Sequence, residues 1–153
     1  GSEADLTPAD PLQVVAETVN YMRPRISKNV SLSLESGEPQ GEILLSRPLF
    51  SWVLENLLRN AVDAMEGEGA LAVRAAWEGD EVHVEVEDNG KGMAKSVARR
   101  VFEPGFTTKS RGWGLGLSLS KRIVEETHGG QVFVDWTEPG QGTRFKLVFR
   151  AQA

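Results

Sequence analysis

Apolar positions recur at helical spacing in "PADPLQVVAETVNYMRPRI", where Leu12, Val15, Val19 and Met22 share a face and Asp10 stands as a cap before Pro11. Pro24 bends or ends that helix. Alternation takes over in "VSLSLE", which predicts a strand, and "EILL" predicts a short second one. The longest helical pattern is "SRPLFSWVLENLLRNAVDAM". Ser46 is placed to cap it, and Leu49, Val53, Leu57 and Ala61 form part of its apolar stripe. After "EGEG", the alternating segments "ALAVRAAW" and "EVHVEVED" predict two more strands. A short helix in "AKSVARRVF" leads into the loop "EPGFTTKSRGWG". A further helix, from residue 115 to residue 127, stops at Gly129-Gly130. The strands "QVFVDW" and "TRFKLVFR" flank the turn "EPGQG". Hairpins at the middle and end, with helices between, predict an α+β fold: a two-layer α/β sandwich with a mixed, mostly antiparallel sheet and helices on one face.

Composition narrows the chemistry. A length of 153 residues suits one domain with a real core. The opening Gly1-Ser2 reads as a cloning scar, and residues 3–153 as a single domain. The net charge of −5 argues against a nucleic-acid or membrane-surface binder. Cysteine is absent, and His83 and His128 are the only histidines, so thiolate and three-histidine metal sites are excluded. No apolar run is long enough to span a bilayer, which predicts a cytoplasmic domain and leaves room for a membrane anchor upstream.

Four segments carry candidate chemistry. On the long helix, Asn56, Asn60 and Asp63 fall at i, i+4 and i+7 and share one stripe beside apolar neighbours. Their oxygens are either a solvated polar edge or ligands for a hard cation such as Mg²⁺. Glu55 and Arg59 point elsewhere and read as exposed. In "EVHVEVEDNGKGM", period two sends Val82, Val84 and Val86 inward, the glutamates and His83 outward, and Asp88 inward. An inward carboxylate needs a donor, such as the exocyclic amine of adenine; the plainer reading of "DNG" is a turn after a strand. In the loop, Thr107, Thr108, Lys109 and Arg111 offer hydroxyls and cations to a phosphate, or simply a solvated surface. Gly112, Gly114 and Gly116 then open a helix, where bare backbone N–H groups receive an anion. Neither the P-loop nor the Rossmann spacing is present. Taken in order, the four supply the parts of a Mg-ATP site.

"ENLLRNAVDAM", "DNGKGM", "FEPGFTTK" and "GWGLGLSL" resemble the N, G1, F and G2 boxes of the GHKL ATPase superfamily, and look most like the catalytic and ATP-binding domain of bacterial sensor histidine kinases. The resemblance implies the Bergerat fold, with ATP and Mg²⁺ as ligands. It implies Mg²⁺ coordination by Asn60, with Asn56 serving the phosphates and metal shell and Asp63 nearby. It implies adenine recognition by Asp88, with Gly90, Gly92 and Met93 beside the base and Thr143 supporting an adenine-site water. Phe102 and Phe106 would pack a short lid that carries Thr107, Thr108, Lys109 and Arg111. Gly112, Trp113, Gly114, Leu115, Gly116 and Leu117 would meet the phosphates. Asn56, Asn60 and Lys109 are the implied catalytic set. Relatives that hydrolyse ATP for its own sake carry a glutamate where Asn56 stands, and an amide cannot take a proton from water. The resemblance therefore implies phosphoryl transfer to a histidine on a separate dimerisation domain, and then to a response regulator. The domain itself is expected to be monomeric and its parent a homodimer. A serine kinase of the anti-sigma factor type and a nucleotide-gated docking module are the rival readings.

Overall fold

The computed structural model describes residues 5–106 and 116–151. Two helices and a five-stranded sheet hold most of the core. The helix α1 (Pro11–Met22) begins where expected: the Asp10 carboxylate accepts from Leu12 N at 2.9 Å, and Pro11 occupies a first-turn position whose N–H has no helical partner. A 3₁₀ turn, Arg23–Arg25, follows at Pro24. The helix α2 (Arg47–Ala64) starts at Ser46, whose side chain accepts from Leu49 N.

The strands are β1 (Thr7–Ala9), β2 (Val30–Ser36), β3 (Ile43–Leu45), β4 (Gly69–Glu78), β5 (Glu81–Asp88), β6 (Gln131–Glu138) and β7 (Gly142–Arg150). The main sheet runs β2-β4-β5-β7-β6, parallel between β2 and β4 and antiparallel elsewhere. This is the expected mixed, mostly antiparallel sheet. The short β3 does not join it. It pairs instead with β1, a strand that carries no alternation long enough to predict.

Register aligns the inward side chains in layers. Val82, Val84 and Val86 of β5 stand opposite Phe149, Leu147 and Phe145 of β7, and opposite Trp77, Ala75 and Val73 of β4. Beneath them lie Val53, Leu54, Leu57 and Leu58 of α2 and Val15 and Val19 of α1, all buried. The outer face is a lattice of ion pairs, among them Arg74–Glu85 at 3.2 Å and Arg144–Glu87 at 2.9 Å. His83 is half-buried in that lattice between Glu78 and Glu81, and Glu55 is half-buried beside Arg59, so neither is as exposed as the pattern suggests.

The last helix is not uniform. α4 (Gly116–Arg122) gives way to a π-helical turn, Ile123–Thr127, and the short helix before the loop, α3, is only Lys95–Ala98. The π turn delivers His128 to the start of α2. His128 Nε2 accepts from Ser46 N at 3.1 Å and Nδ1 donates to the Ile123 carbonyl at 3.0 Å, with Phe50 and Phe149 packed edge-on. Only the neutral ring can do both. Burial pushes the His128 pKa down, against a smaller upward effect of the Ile123 bond. The folded chain thus resists protonation more than the unfolded chain does. Stability from this residue is fully present above the ordinary histidine value, 6.5, and is lost as pH falls below it and on through the lowered folded value. Melting temperature should therefore decline from about pH 7 to 5. Glu87, held down chiefly by Arg144, adds a separate loss only below its ordinary value of 4.5. His128→Phe should flatten the upper decline and cost about 1–3 kcal/mol at neutral pH, because the Ser46 N–H loses its acceptor. Thermal melts of both proteins across that range check this; an unchanged slope contradicts it.

Candidate functional site

At one end of the sheet the apolar layers stop and a polar layer replaces them. Asp88, the last residue of β5, stands between Leu71 of β4 and Thr143 of β7 and is only 5% exposed. Its Oδ1 accepts from Gly90 N at 2.8 Å, and the Thr143 amide also hydrogen-bonds the carboxylate. Burial nevertheless dominates and raises the carboxyl pKa, with the two amides opposing it. A carboxylate kept in so dry a place still has acceptor capacity that two amides do not exhaust.

The segment after Asp88 is more than a turn. A side chain at Gly90 would overlap the Ala64 carbonyl, and Lys91 N donates to that same oxygen at 2.9 Å, closing the end of α2. Gly92 has φ +65°, and a side chain there would overlap the Glu138 carbonyl. Asn89 Oδ1 accepts from Ala70 N at 2.8 Å, and Gly140 N donates to Lys91 O at 2.7 Å. The loop is thereby fastened on one side to α2 and on the other to the β6–β7 turn.

On α2, the Asn60 amide nitrogen donates to the Asn56 carbonyl one turn back at 2.9 Å, which commits the amide oxygen to the opposite edge. Asn56 is half-buried, and its Nδ2 donates to Ser120 Oγ at 3.1 Å. A side chain on Gly116 would lie 2.7 Å from Asn56 Oδ1, so α4 seats directly on this amide. Asp63 follows on the same helix and is exposed. Phe102 packs edge-on against Phe145, ring centroids 6.0 Å apart, with Lys121 Nζ 5.5 Å from its ring. Met93 is half-buried against the core, as is Leu117, and Arg100 lies over the Phe106 ring at 4.6 Å.

The structure thus brings Asn56 and Gly116 together at the α2–α4 contact, with Asn60 one turn further along α2 and bonded to the Asn56 carbonyl, and gathers Asp88, Gly90, Gly92, Met93 and Thr143 at the polar end of the sheet. Thr107, Thr108, Lys109, Arg111, Gly112, Trp113, Gly114 and Leu115 lie outside the described residues. Two residues were not singled out by sequence. Ser120 is fully buried and bonded to Asn56, and Thr137 touches Met93 N, Gly142 O and Thr143 Oγ1. A helical repeat from Asn56 gives no sign of Ser120, which belongs to another helix.

Among the described residues no helix is long and apolar enough to cross a membrane. No group of three or more His, Cys, Asp or Glu side chains able to hold a metal ion occurs among them either.

Known proteins share both the sequence and the architecture. The profile of the Histidine kinase-, DNA gyrase B-, and HSP90-like ATPase family matches residues 46–153. The chain is 40% identical over 124 residues to the alginate biosynthesis sensor protein KinB of Pseudomonas aeruginosa, a match covering 80% of this chain and 20% of that protein. The chain therefore spans about a fifth of the length of that relative. The nucleotide-free catalytic domain of the histidine kinase ThkA superposes with a TM-score of 0.85 at 26% identity, over 97% of this chain and 99% of that one. Full-length ShkA in complex with AMPPNP superposes with a TM-score of 0.82 at 29% identity, over 99% of this chain and 33% of that one.

Proposed function

The chain belongs to the histidine kinase-, DNA gyrase B- and HSP90-like ATPase family, and we propose that within it the chain is the ATP-binding catalytic domain of a two-component sensor histidine kinase. It transfers the γ-phosphoryl group of ATP to a histidine on a dimerisation domain outside these 153 residues, from which a response regulator takes it. The observation that carries the reading is the buried Asp88 carboxylate at the end of an apolar strand. It accepts from the adenine amine, while the apolar side chains near it, Leu71 beside it in the sheet and half-buried Met93, suit the base's ring. That ShkA, a protein sharing this architecture, is seen in complex with AMPPNP supports an adenine nucleotide as the ligand.

Mg²⁺ fits the donor set. This cation keeps several waters and needs few protein ligands, so a single amide oxygen from Asn60 together with phosphate oxygens suffices, without a carboxylate cage. When bound, it screens the charge shared between the β- and γ-phosphates. Asn60 would hold that cation through its amide oxygen. Asn56 holds α4 through Ser120, and the backbone at the start of α4 approaches it closely because Gly116 has no side chain. Lys109, Arg111 and the threonines of the lid are proposed phosphate contacts, with Lys109 the catalytic cation.

Asn56 also decides what the site does not do. Its amide nitrogen is given to Ser120, and an amide has no basic atom with which to activate water. Phosphate release by this chain with Mg-ATP should be slow, well below the roughly 1 s⁻¹ at the low end of ordinary turnover. A phosphate-release assay giving turnover like that of a dedicated ATPase contradicts the kinase reading.

A further inference from the structure

A bulge near the end of β6 turns a hydroxyl inward against the alternation of its strand. Val132 and Val134 pair with Leu147 and Phe145; Val132 is buried and Val134 packs half-buried against the core. Strict alternation would send Trp136 inward next and Thr137 outward. The register skips at Asp135, so Trp136 pairs with outward Arg144 and Thr137 with inward Thr143. Asp135 is held at the bulge by Arg144 Nε at 2.7 Å.

Thr137 Oγ1 then has three neighbours. It accepts from Met93 N at 2.9 Å, donates to Gly142 O at 3.1 Å, and lies 2.9 Å from Thr143 Oγ1. A hydroxyl has one proton to give. With that proton on Gly142 O, the hydrogen between the two threonines comes from Thr143. Thr143 Oγ1 is left with lone pairs only. Because Thr143 stands opposite Asp88, this end of the sheet presents two inward side-chain acceptors side by side among the described residues.

We propose that Thr137 is a positioning residue that fixes Thr143 as an acceptor and so makes the pocket select a purine with an amino group, rather than an oxo group, at C6. The inference rests on the reading of Asp88 as the carboxylate that recognises the base. An amino group donates to such a floor. An oxo group sets acceptor against acceptor, and a site built for one pattern rejects the other because its buried groups are left unpaired. Thr137→Val keeps the branched shape that a strand prefers but removes the hydroxyl. Thr143 is then able to turn its proton towards the base.

The test is calorimetric titration of ATP and ITP, whose bases differ in carrying an amino or an oxo group at C6. Wild type should prefer ATP. Thr137→Val should lower the ATP-to-ITP affinity ratio about tenfold, and Thr137→Ser should restore it. Parallel loss of both nucleotides in Thr137→Val, with the ratio kept, makes Thr137 a structural residue only and overturns the proposal. If wild type binds both nucleotides equally, Asp88 loses its base-reading role and this inference fails with it. If Thr137→Val does not fold, Thr143→Val removes the directed oxygen itself. It must lower the ratio similarly, and a retained ratio overturns the proposal.

Discussion

Asp88→Asn should weaken ATP binding by about ten- to a hundredfold while leaving the fold intact. The substitution keeps size and shape, and the remaining carbonyl oxygen still accepts from Gly90 N, so the loop after β5 stays fastened. What is lost is a charged acceptor in a dry layer between Leu71 and Thr143. In its place comes an NH₂ group that meets the adenine amine donor to donor. A charge-assisted bond is worth about 1.5–3 kcal/mol, which sets the expected range. The same carboxylate predicts a pH effect on binding. Burial raises its pKa, so ATP affinity should begin to fall on acidification before an ordinary aspartate would lose its charge. Calorimetry on wild type and variant checks both. An affinity within twofold of wild type removes Asp88 from the base-binding role.

Asn60→Ala should reduce phosphoryl transfer by about ten- to a hundredfold, yet barely change the binding of ADP without metal. The distinction follows from where the residue acts. Its nitrogen is fixed on the Asn56 carbonyl and its oxygen is turned to the other edge of the helix. The cation it is proposed to hold matters most where charge builds up between the β- and γ-phosphates, a pair that ADP lacks. If wild type and variant show the same ATP affinity with and without Mg²⁺, and the same transfer rate, Asn60 is not the ligand.

Where these side chains point is legible in sequence because periodicity decides it, while the roles proposed for them come from the family resemblance. Asp88 continues the inward register of three valines, and Asn56 and Asn60 lie one turn apart, so both follow from counting. The caps at Asp10 and Ser46 follow from side chains able to accept from the first turn. Counting fails where a register breaks. The skip at Asp135 reverses the parity of β6 and hides Thr137, and the π-helical turn shifts the end of the α4 run so that His128 meets Ser46. It also fails where partners are far apart in the chain. The parallel pairing of β2 with β4, and the separation of β1 and β3 into a sheet of their own, depend on packing around α1 and α2, and no local pattern encodes them. Ser120 is of the same kind: an unremarkable serine until the fold brings it 3.1 Å from Asn56.

The central claim is that this chain is a kinase whose acceptor lies elsewhere. Its own histidines are poor targets. His128 is buried with both ring nitrogens engaged, and His83 is held between Glu78 and Glu81 on the outer sheet face. Neither is placed to stand in line with the γ-phosphate proposed to sit at the start of α4. The measurement is incubation with γ-labelled Mg-ATP, with the chain alone and with a separately made, histidine-bearing dimerisation domain of a sensor kinase matched to it. The account predicts no label on the chain alone, and acid-labile, base-stable label on the partner's histidine when both are present. Stoichiometric labelling of His83 or His128 in the chain alone, or an unlabelled partner under conditions where the chain binds Mg-ATP, would contradict it.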